Sequence, residues 1–151
     1  MIKNIEQQPF IIGSIFALSN KLQIFCNKIY KDISIKQWFL LAVISQFKDD
    51  VPNLAQVSKI TGNSYQNVKK MAVILEKKGF LDILKDKNDS RILRLHMTEK
   101  YKRYFETTVA KEEKLISDLF KNFDDENLSR LCDGIAKLIS NIEQMENEYY
   151  E

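Results

Sequence analysis

The chain has 151 residues, the usual length of one domain or of a compact domain with a dimerisation element. A hydrophobic content of 44% excludes a disordered chain, and only 4 Gly and 2 Pro disfavour the many turns of a sheet-rich fold, so a mainly helical fold is predicted. The formal net charge of +2 is unevenly distributed, since residues 59–103 carry +7 and residues 104–151 carry −7. A basic central segment of this kind is typical of a nucleic-acid-binding surface.

A seven-residue apolar repeat near the N-terminus predicts a long helix that packs lengthwise against another helix. Its positions are Ile11, Ile15, Leu18, Leu22, Phe25 and Ile29. No apolar run approaches the roughly 20 residues that a membrane-spanning helix needs. Residues 9–18 could be mistaken for the core of a signal sequence, but no clear cleavage site follows them. We therefore expect a cytoplasmic protein with no membrane partner.

The residue types that carry most enzyme chemistry are sparse. Cys26, Cys132 and the single histidine, His96, have no metal-ligand spacing, and no glycine-rich phosphate loop is present. Both cysteines lie in apolar helical patterns, which favours buried structural thiols in a reducing cytosol. We expect no catalytic residue, no metal, no cofactor and no enzyme activity.

Residues 34–47 predict a central buried helix. Ser34 and Gln37 have the spacing of a capping box at its start, and residues 38–44 are apolar nearly all round. Trp38 is interpreted as a core residue, because burial is the usual environment of a tryptophan.

Residues 53–78 predict a helix–turn–helix. The first helix begins at Asn53 with a capping-box-like Gln56, and the second runs from about Ser64 to Lys78. Gly62 allows the tight turn between them, and Gly79 stands where a C-terminal cap belongs. The residues expected to face inward are Leu54, Val57, Ile60, Val68, Met71 and Leu75.

The outer face of the second helix carries side chains suited to base edges and phosphates, which predicts a DNA-recognition helix. These residues are Tyr65, Gln66, Asn67, Lys69 and Lys70. A hairpin is predicted next, with strands at residues 80–85 and 92–97 and with Leu93, Leu95 and Met97 on the core side. Residues 85–91 form a polar turn with three cations.

This order of elements carries a specific resemblance. The helix ends in Lys78-Gly79, the turn contains Asp89-Ser90-Arg91, and the second strand has Leu95 and closes in Met97-Thr98. In these motifs the chain resembles the MarR family of transcriptional regulators, with Met97 in place of the usual leucine. The resemblance implies a mainly α fold: a winged helix–turn–helix, in which the hairpin is the wing, with N- and C-terminal helices forming a dimerisation domain.

The predicted organisation has three parts: an N-terminal dimerisation helix (1–33), a winged helix–turn–helix DNA-binding domain (34–98) and C-terminal dimerisation helices (99–151). Base edges in the major groove would be read by residues 64–67, Gln66 and Asn67 pairing with adenine. Arg91 would enter the flanking minor groove, oriented by Asp89. The full set of predicted DNA-binding residues is Ser64, Tyr65, Gln66, Asn67, Lys69, Lys70, Lys87 and Arg91. About half of Lys77, Lys78, Lys85 and Lys87 are expected to touch DNA.

A second seven-residue repeat, at the C-terminus, matches the first. It comprises Leu128, Leu131, Ile135, Leu138, Ile142, Met145 and Tyr149, on a helix capped by Asp124. A further helix is expected over residues 99–122, capped by Thr98 and burying Tyr101, Phe105, Leu115 and Leu119. The two repeats could cover each other within one chain, but the resemblance favours a homodimer. The predicted interface residues are Ile11, Ile15, Leu18, Leu22, Leu131, Ile135, Leu138 and Ile142.

The predicted function is a sequence-specific, DNA-binding transcriptional regulator. The resemblance implies a dimeric repressor of palindromic operators on double-stranded DNA, released by a small aromatic or other amphipathic effector. The alternative is a winged-helix module for protein–protein contact without DNA. Peroxide-sensing relatives place a reactive cysteine near the start of the first helix, closer to Gly13 than to Cys26, which disfavours a redox role for Cys26.

Overall fold

A computed structural model describes residues 6–48 and 50–149. The chain divides into two compact units, the first extending through Glu106 and the second beginning at Thr107. The division predicted from the sequence, with boundaries at 33/34 and 98/99, separates dimerisation segments from a DNA-binding domain. Because it rests on these functional roles, it stays a prediction.

Six helices and two strands follow one another in the predicted order within the described residues. They are α1 (Gln7–Ile29), α2 (Ile35–Ser45), α3 (Leu54–Thr61), α4 (Tyr65–Lys77), β1 (Leu81–Lys85), β2 (Leu93–Met97), α5 (Glu99–Leu119) and α6 (Asp125–Tyr149). The predicted helix over residues 99–122 is therefore shorter by one turn.

Both predicted capping boxes are present. The Ser34 hydroxyl accepts from the Gln37 backbone N–H at 3.2 Å, and the Gln37 side chain accepts from the Ser34 N–H at 3.1 Å. Asn53 and Gln56 exchange the equivalent bonds at 2.9 and 2.8 Å. Because each box satisfies two otherwise unpaired backbone donors, it fixes where α2 and α3 begin.

A glycine follows each helix of the helix–turn–helix. Gly62 has φ +64° after α3 and Gly79 has φ +77° after α4, a left-handed conformation that side chains with a Cβ rarely adopt. Thr98, beyond the hairpin, caps α5 by accepting from the Tyr101 N–H at 3.3 Å, as predicted.

The core of the first unit lies between α2, α3, α4 and the hairpin. Its fully buried side chains include Leu40, Leu41, Leu54, Val57, Val68, Leu75, Leu81 and Leu95. Trp38 and Met71 pack against it half-buried. Ile60 is exposed, so its predicted burial was wrong: α3 has only two turns, and Leu54 and Val57 already form its buried side.

The hairpin is antiparallel, with Leu81 opposite Met97 and Lys85 opposite Leu93. Leu95 is buried at the centre of β2, as predicted, and a single bridge joins Arg94 to Asn53 at the start of α3. The wing is therefore hydrogen-bonded to the helix–turn–helix as well as packed on it.

The helices after the wing expose most of their apolar residues. Phe105 and Leu119 are exposed on α5, contrary to prediction, and α6 has no buried residue among those described. The predicted N-cap of α6 is present, since the Asp124 carboxylate accepts from the Asn127 N–H at 2.7 Å.

Candidate nucleic-acid interface

The outward face of α4 is set by what the helix buries. Val68, Ala72 and Leu75 recur at helical spacing and are completely buried. The predicted readers lie on the other side of the helix, where all are exposed: Ser64, Tyr65, Gln66, Asn67, Lys69 and Lys70. The structure thus brings these six residues together on one surface at the N-terminal end of α4.

The residues of this surface differ in whether their side chains already make hydrogen bonds within the chain. The Ser64 hydroxyl is the N-cap and accepts from the Asn67 backbone N–H at 3.3 Å, so it also fixes the helix start. The side chains of Gln66, Lys69 and Lys70 make no hydrogen bond or ion pair with the described part of the chain. Their donors and acceptors are available to an external partner.

The lysines near the end of α4 and in the wing differ in whether they are bonded within the chain. The Lys78 ammonium donates to the backbone carbonyl of Asp32, in the segment between α1 and α2. Lys77, Lys85 and Lys87 are exposed. Lys78 therefore has a structural contact that the sequence did not indicate.

At the wing turn, Arg91 and Asp89 form a bidentate pair. Arg91 Nε donates to one carboxylate oxygen of Asp89 at 3.0 Å and Nη2 donates to the other at 3.0 Å. The Arg91 backbone N–H donates to the same carboxylate at 3.0 Å. These bonds lower the pKa of Asp89 and raise that of Arg91. The Arg91 side chain stays 89% exposed, so the pair orients the guanidinium without burying it.

A second wing pair, Asp86 with Arg94, was missed by the sequence reasoning. Arg94 Nε donates to the Asp86 carboxylate, whose other oxygen accepts from the Asn88 and Asp89 backbone N–H groups at 2.8 and 3.1 Å. The bond from Arg94, followed by these backbone bonds, lowers the pKa of Asp86 to about 2. An aspartate opening a polar turn was the available signal, because aspartates there bond backbone groups two residues on.

The predicted dimer residues lie exposed on two long helices. On α1 they are Ile11, Ile15, Leu18 and Leu22, and on α6 they are Leu131, Ile135, Leu138 and Ile142. By length and composition alone, α1 is also apolar enough to cross a membrane, a property that the sequence reasoning did not recognise.

The cysteines differ from each other. Cys26 is buried, and burial raises the pKa of its thiol, which lowers its reactivity. Cys132 is exposed on α6, so its predicted burial was wrong. No cluster of three or more metal-ligating side chains occurs within residues 6–48 and 50–149.

No family model matches the chain. It is 25% identical over 124 residues to the transcriptional repressor MprA of Escherichia coli K12, covering 81% of this chain and 70% of that protein. Its structure is similar to that of a MarR protein from Peptoclostridium difficile, with a TM-score of 0.80 and 24% identity over 96% of this chain and 94% of the other. It is also similar to Streptococcus pneumoniae FabT in complex with DNA, with a TM-score of 0.66 and 21% identity over 92% and 99% of the two chains. The winged helix–turn–helix fold predicted from the sequence is confirmed.

Proposed function

We propose that this chain, which has the fold of the MarR-family transcriptional regulators, belongs to that family and regulates transcription by binding specific DNA sequences. The observation that carries the proposal is the exposed polar and basic surface of α4 above a fully buried stripe, in a segment with a charge of +7. The match to a transcriptional repressor and to a protein solved in complex with DNA supports the same function.

In this proposal the N-terminal end of α4 enters the major groove. Gln66 and Asn67 present amides that can pair bidentately with adenine, and Tyr65 contacts a thymine methyl or a phosphate. Ser64, at the helix start, lies beside them. Lys69 and Lys70, further along the helix, contact phosphates and contribute affinity on any sequence.

The wing contacts the flanking minor groove. Arg91 inserts there, because the narrow groove of A·T-rich DNA has an enhanced negative potential. Asp89 holds the guanidinium in position through its two 3.0 Å bonds, and the exposed Lys87 lies two residues before it. A carboxylate that is fully engaged in this way repels the phosphates less than a free one would.

The exposed apolar repeats of α1 and α6 are proposed to form a homodimer interface. A 25-residue helix with no buried side chain among its described residues gains little stabilisation from the packing seen here. Burying its apolar stripe against a second copy would gain about 25 cal/mol for each Å² removed from water. Two-fold pairing would also present two α4 helices to one DNA duplex, as palindromic operators require.

For α1, too, we propose a place in the interface rather than in a membrane. Its apolar positions follow a seven-residue repeat, and Lys21 and Lys28 lie among the polar positions between them. Residues 1–33 and 99–151 would then be the dimerisation segments and residues 34–98 the DNA-binding domain of a cytoplasmic, non-enzymatic protein.

We further propose that the protein is a repressor released by a small ligand. Such a ligand acts only if it binds more tightly to a dimer whose two α4 helices have the wrong separation for DNA. A small aromatic compound is the class that the family resemblance implies.

The experiment that tests the function is selection of bound sequences from a random duplex pool, followed by titration of the winners at several salt concentrations. We expect a palindromic consensus with half-sites about one helical turn apart. Enrichment of no sequence, with weak and salt-sensitive binding only, would overturn the proposal and favour a protein–protein contact module.

A further inference from the structure

The wing is attached to the helix–turn–helix at two points, one on each strand. Ile83 on β1 lies directly opposite Leu95 on β2. The backbone N–H of each donates outside the hairpin: Ile83 to the Glu76 side chain at 3.0 Å, and Leu95 to the carbonyl of Pro52 at 2.8 Å. In an antiparallel ladder such outward-pointing groups are free to bond neighbouring elements. Here they bond the last turn of α4 and the segment just before α3.

The first attachment joins the wing to the recognition helix itself. Glu76 lies in the last turn of α4, and its carboxylate covers a strand-edge donor that would otherwise face water. A carboxylate on a DNA-binding helix is unfavourable near phosphates. The hydrogen bond from the Ile83 N–H gives the Glu76 carboxylate a structural role instead, that of holding β1 against α4.

The second attachment joins the segment before α3 to the turn that carries Arg91. Arg94 Nη1 donates to the Val51 carbonyl at 2.6 Å, while its Nε donates to Asp86. Asp86 in turn accepts from the Asp89 backbone N–H at 3.1 Å, two residues before Arg91. Arg94 thus links Val51 on one side to Asp86 on the other, and its side chain is partly buried.

We propose that Glu76 and Arg94 are positioning residues that fix the wing relative to α4, so that Arg91 meets the minor groove at a set distance from the bases read by α4. The proposal rests on the proposed DNA-binding function and extends it to two residues that would not touch DNA. If either attachment were lost, ordering Arg91 on DNA would cost conformational entropy, and the free energy of DNA binding would become less favourable.

The test compares affinities for two duplexes that share the selected half-sites and differ in A·T-rich or G·C-rich flanks. Wild-type protein is expected to prefer the A·T-rich flanks. Glu76→Ala should reduce this preference about three- to tenfold, the range of one net hydrogen bond. Glu76→Gln removes the same charge but keeps an oxygen acceptor, so it should retain the preference. Glu113→Ala, at an exposed glutamate of α5, is the control for loss of a carboxylate.

Coupling to Arg91 gives the sharper readout. Arg91→Ala should abolish the preference, and adding Glu76→Ala or Arg94→Ala to it should cause no further loss of preference. On the free protein, hydrogen exchange of the Ile83 amide should be faster in Glu76→Ala than in Glu76→Gln.

The outcomes separate the two proposals. If the wild type prefers A·T-rich flanks and Glu76→Ala matches it, the positioning role is overturned and the DNA-binding function stands. An equal loss in Glu76→Ala and Glu76→Gln would also overturn it, because charge and not the hydrogen bond would then be responsible. If the wild type binds neither duplex, the proposed function is overturned, and the positioning role with it.

Discussion

The Nζ of Lys100, in the first turn of α5, donates a 2.6 Å hydrogen bond to the backbone carbonyl oxygen of Lys78, the C-cap residue of α4. The same ammonium lies 5.3 Å from the centre of the Phe80 ring. A cation at this position satisfies an unpaired carbonyl and interacts favourably with the helix dipole. Lys100 therefore belongs to the basic segment by sequence but connects α5 to the end of α4.

Replacing Lys100 with Met keeps most of the side-chain stem and removes the cation. We expect the free energy of unfolding to fall by about 0.5 to 1 kcal/mol, because the carbonyl of Lys78 loses its partner. Chemical denaturation would measure the change. Lys102→Met is the matched control, since Lys102 makes only an exposed pair with Glu99 and should cost less. Equal losses in the two variants would contradict a specific role for Lys100.

The salt dependence of DNA binding should distinguish phosphate contacts from structural lysines. Lys69 is exposed on α4, whereas the ammonium of Lys78 is bonded to Asp32. Lys69→Met should reduce the slope of log K against log[salt] by about 1, because one fewer counterion is released. Lys78→Met should change the slope less. The two slopes would be measured by fluorescence anisotropy, and a larger effect of Lys78 would reverse this assignment.

Gln66 is proposed to read a base, so its loss should depend on sequence. Gln66→Ala should weaken binding by about 1 to 3 kcal/mol to the consensus and much less to a site changed at the base pair it reads. Competition assays with single-base operator variants would measure this. Lys70→Ala, at a neighbouring exposed position, should instead weaken binding to all sites alike. Uniform loss in Gln66→Ala would make Gln66 a phosphate contact.

The ion pair of Asp86 predicts a pH-dependent stability. Its pKa falls from 3.8 to about 2 on folding, chiefly through the bond from Arg94. The stabilisation is therefore complete above about pH 4 and is lost as the pH falls through 2, where the carboxyl is protonated in folded and unfolded states alike. Asp86→Asn should be less stable than wild type at neutral pH, and the difference should shrink between pH 4 and 2.

Denaturant titrations at several pH values would follow this difference. Asp133→Asn, at an exposed residue of α6, is the control for removing a carboxylate. A difference between Asp86→Asn and wild type that stays constant down to pH 2 would mean that the pair does not stabilise the fold.

The helix boundaries were predictable because the signals that set them are local. The Ser34–Gln37 and Asn53–Gln56 boxes need only four residues each, and Gly62 and Gly79 stand where the chain must turn. The buried face of β2 was predictable for the same reason, because apolar and polar residues alternate around Leu95.

Contacts between distant residues were not predictable in the same way. Glu76 with Ile83, Lys100 with Lys78, and Arg94 with Val51 depend on how elements pack, since no spacing in the sequence relates these pairs. The misplaced expectations have a related origin. Periodicity shows that Phe105 and Leu119 share an apolar stripe, but it does not show whether that stripe is covered within one chain.

The uncovered stripe of α6 leads to a prediction about assembly. Leu138 lies in the middle of the repeat, between Ile135 and Ile142, and Leu138→Asp would place a charge in the proposed interface. Because burying an unpaired carboxylate is costly, we expect this variant to be monomeric and to bind palindromic DNA poorly. Sedimentation velocity would measure the mass. Ser140→Asp adds the same charge half a turn away from Leu138 and should remain dimeric. A dimeric Leu138→Asp variant would mean that the α6 stripe does not form the dimer interface, and the dimer contacts would then have to be sought elsewhere.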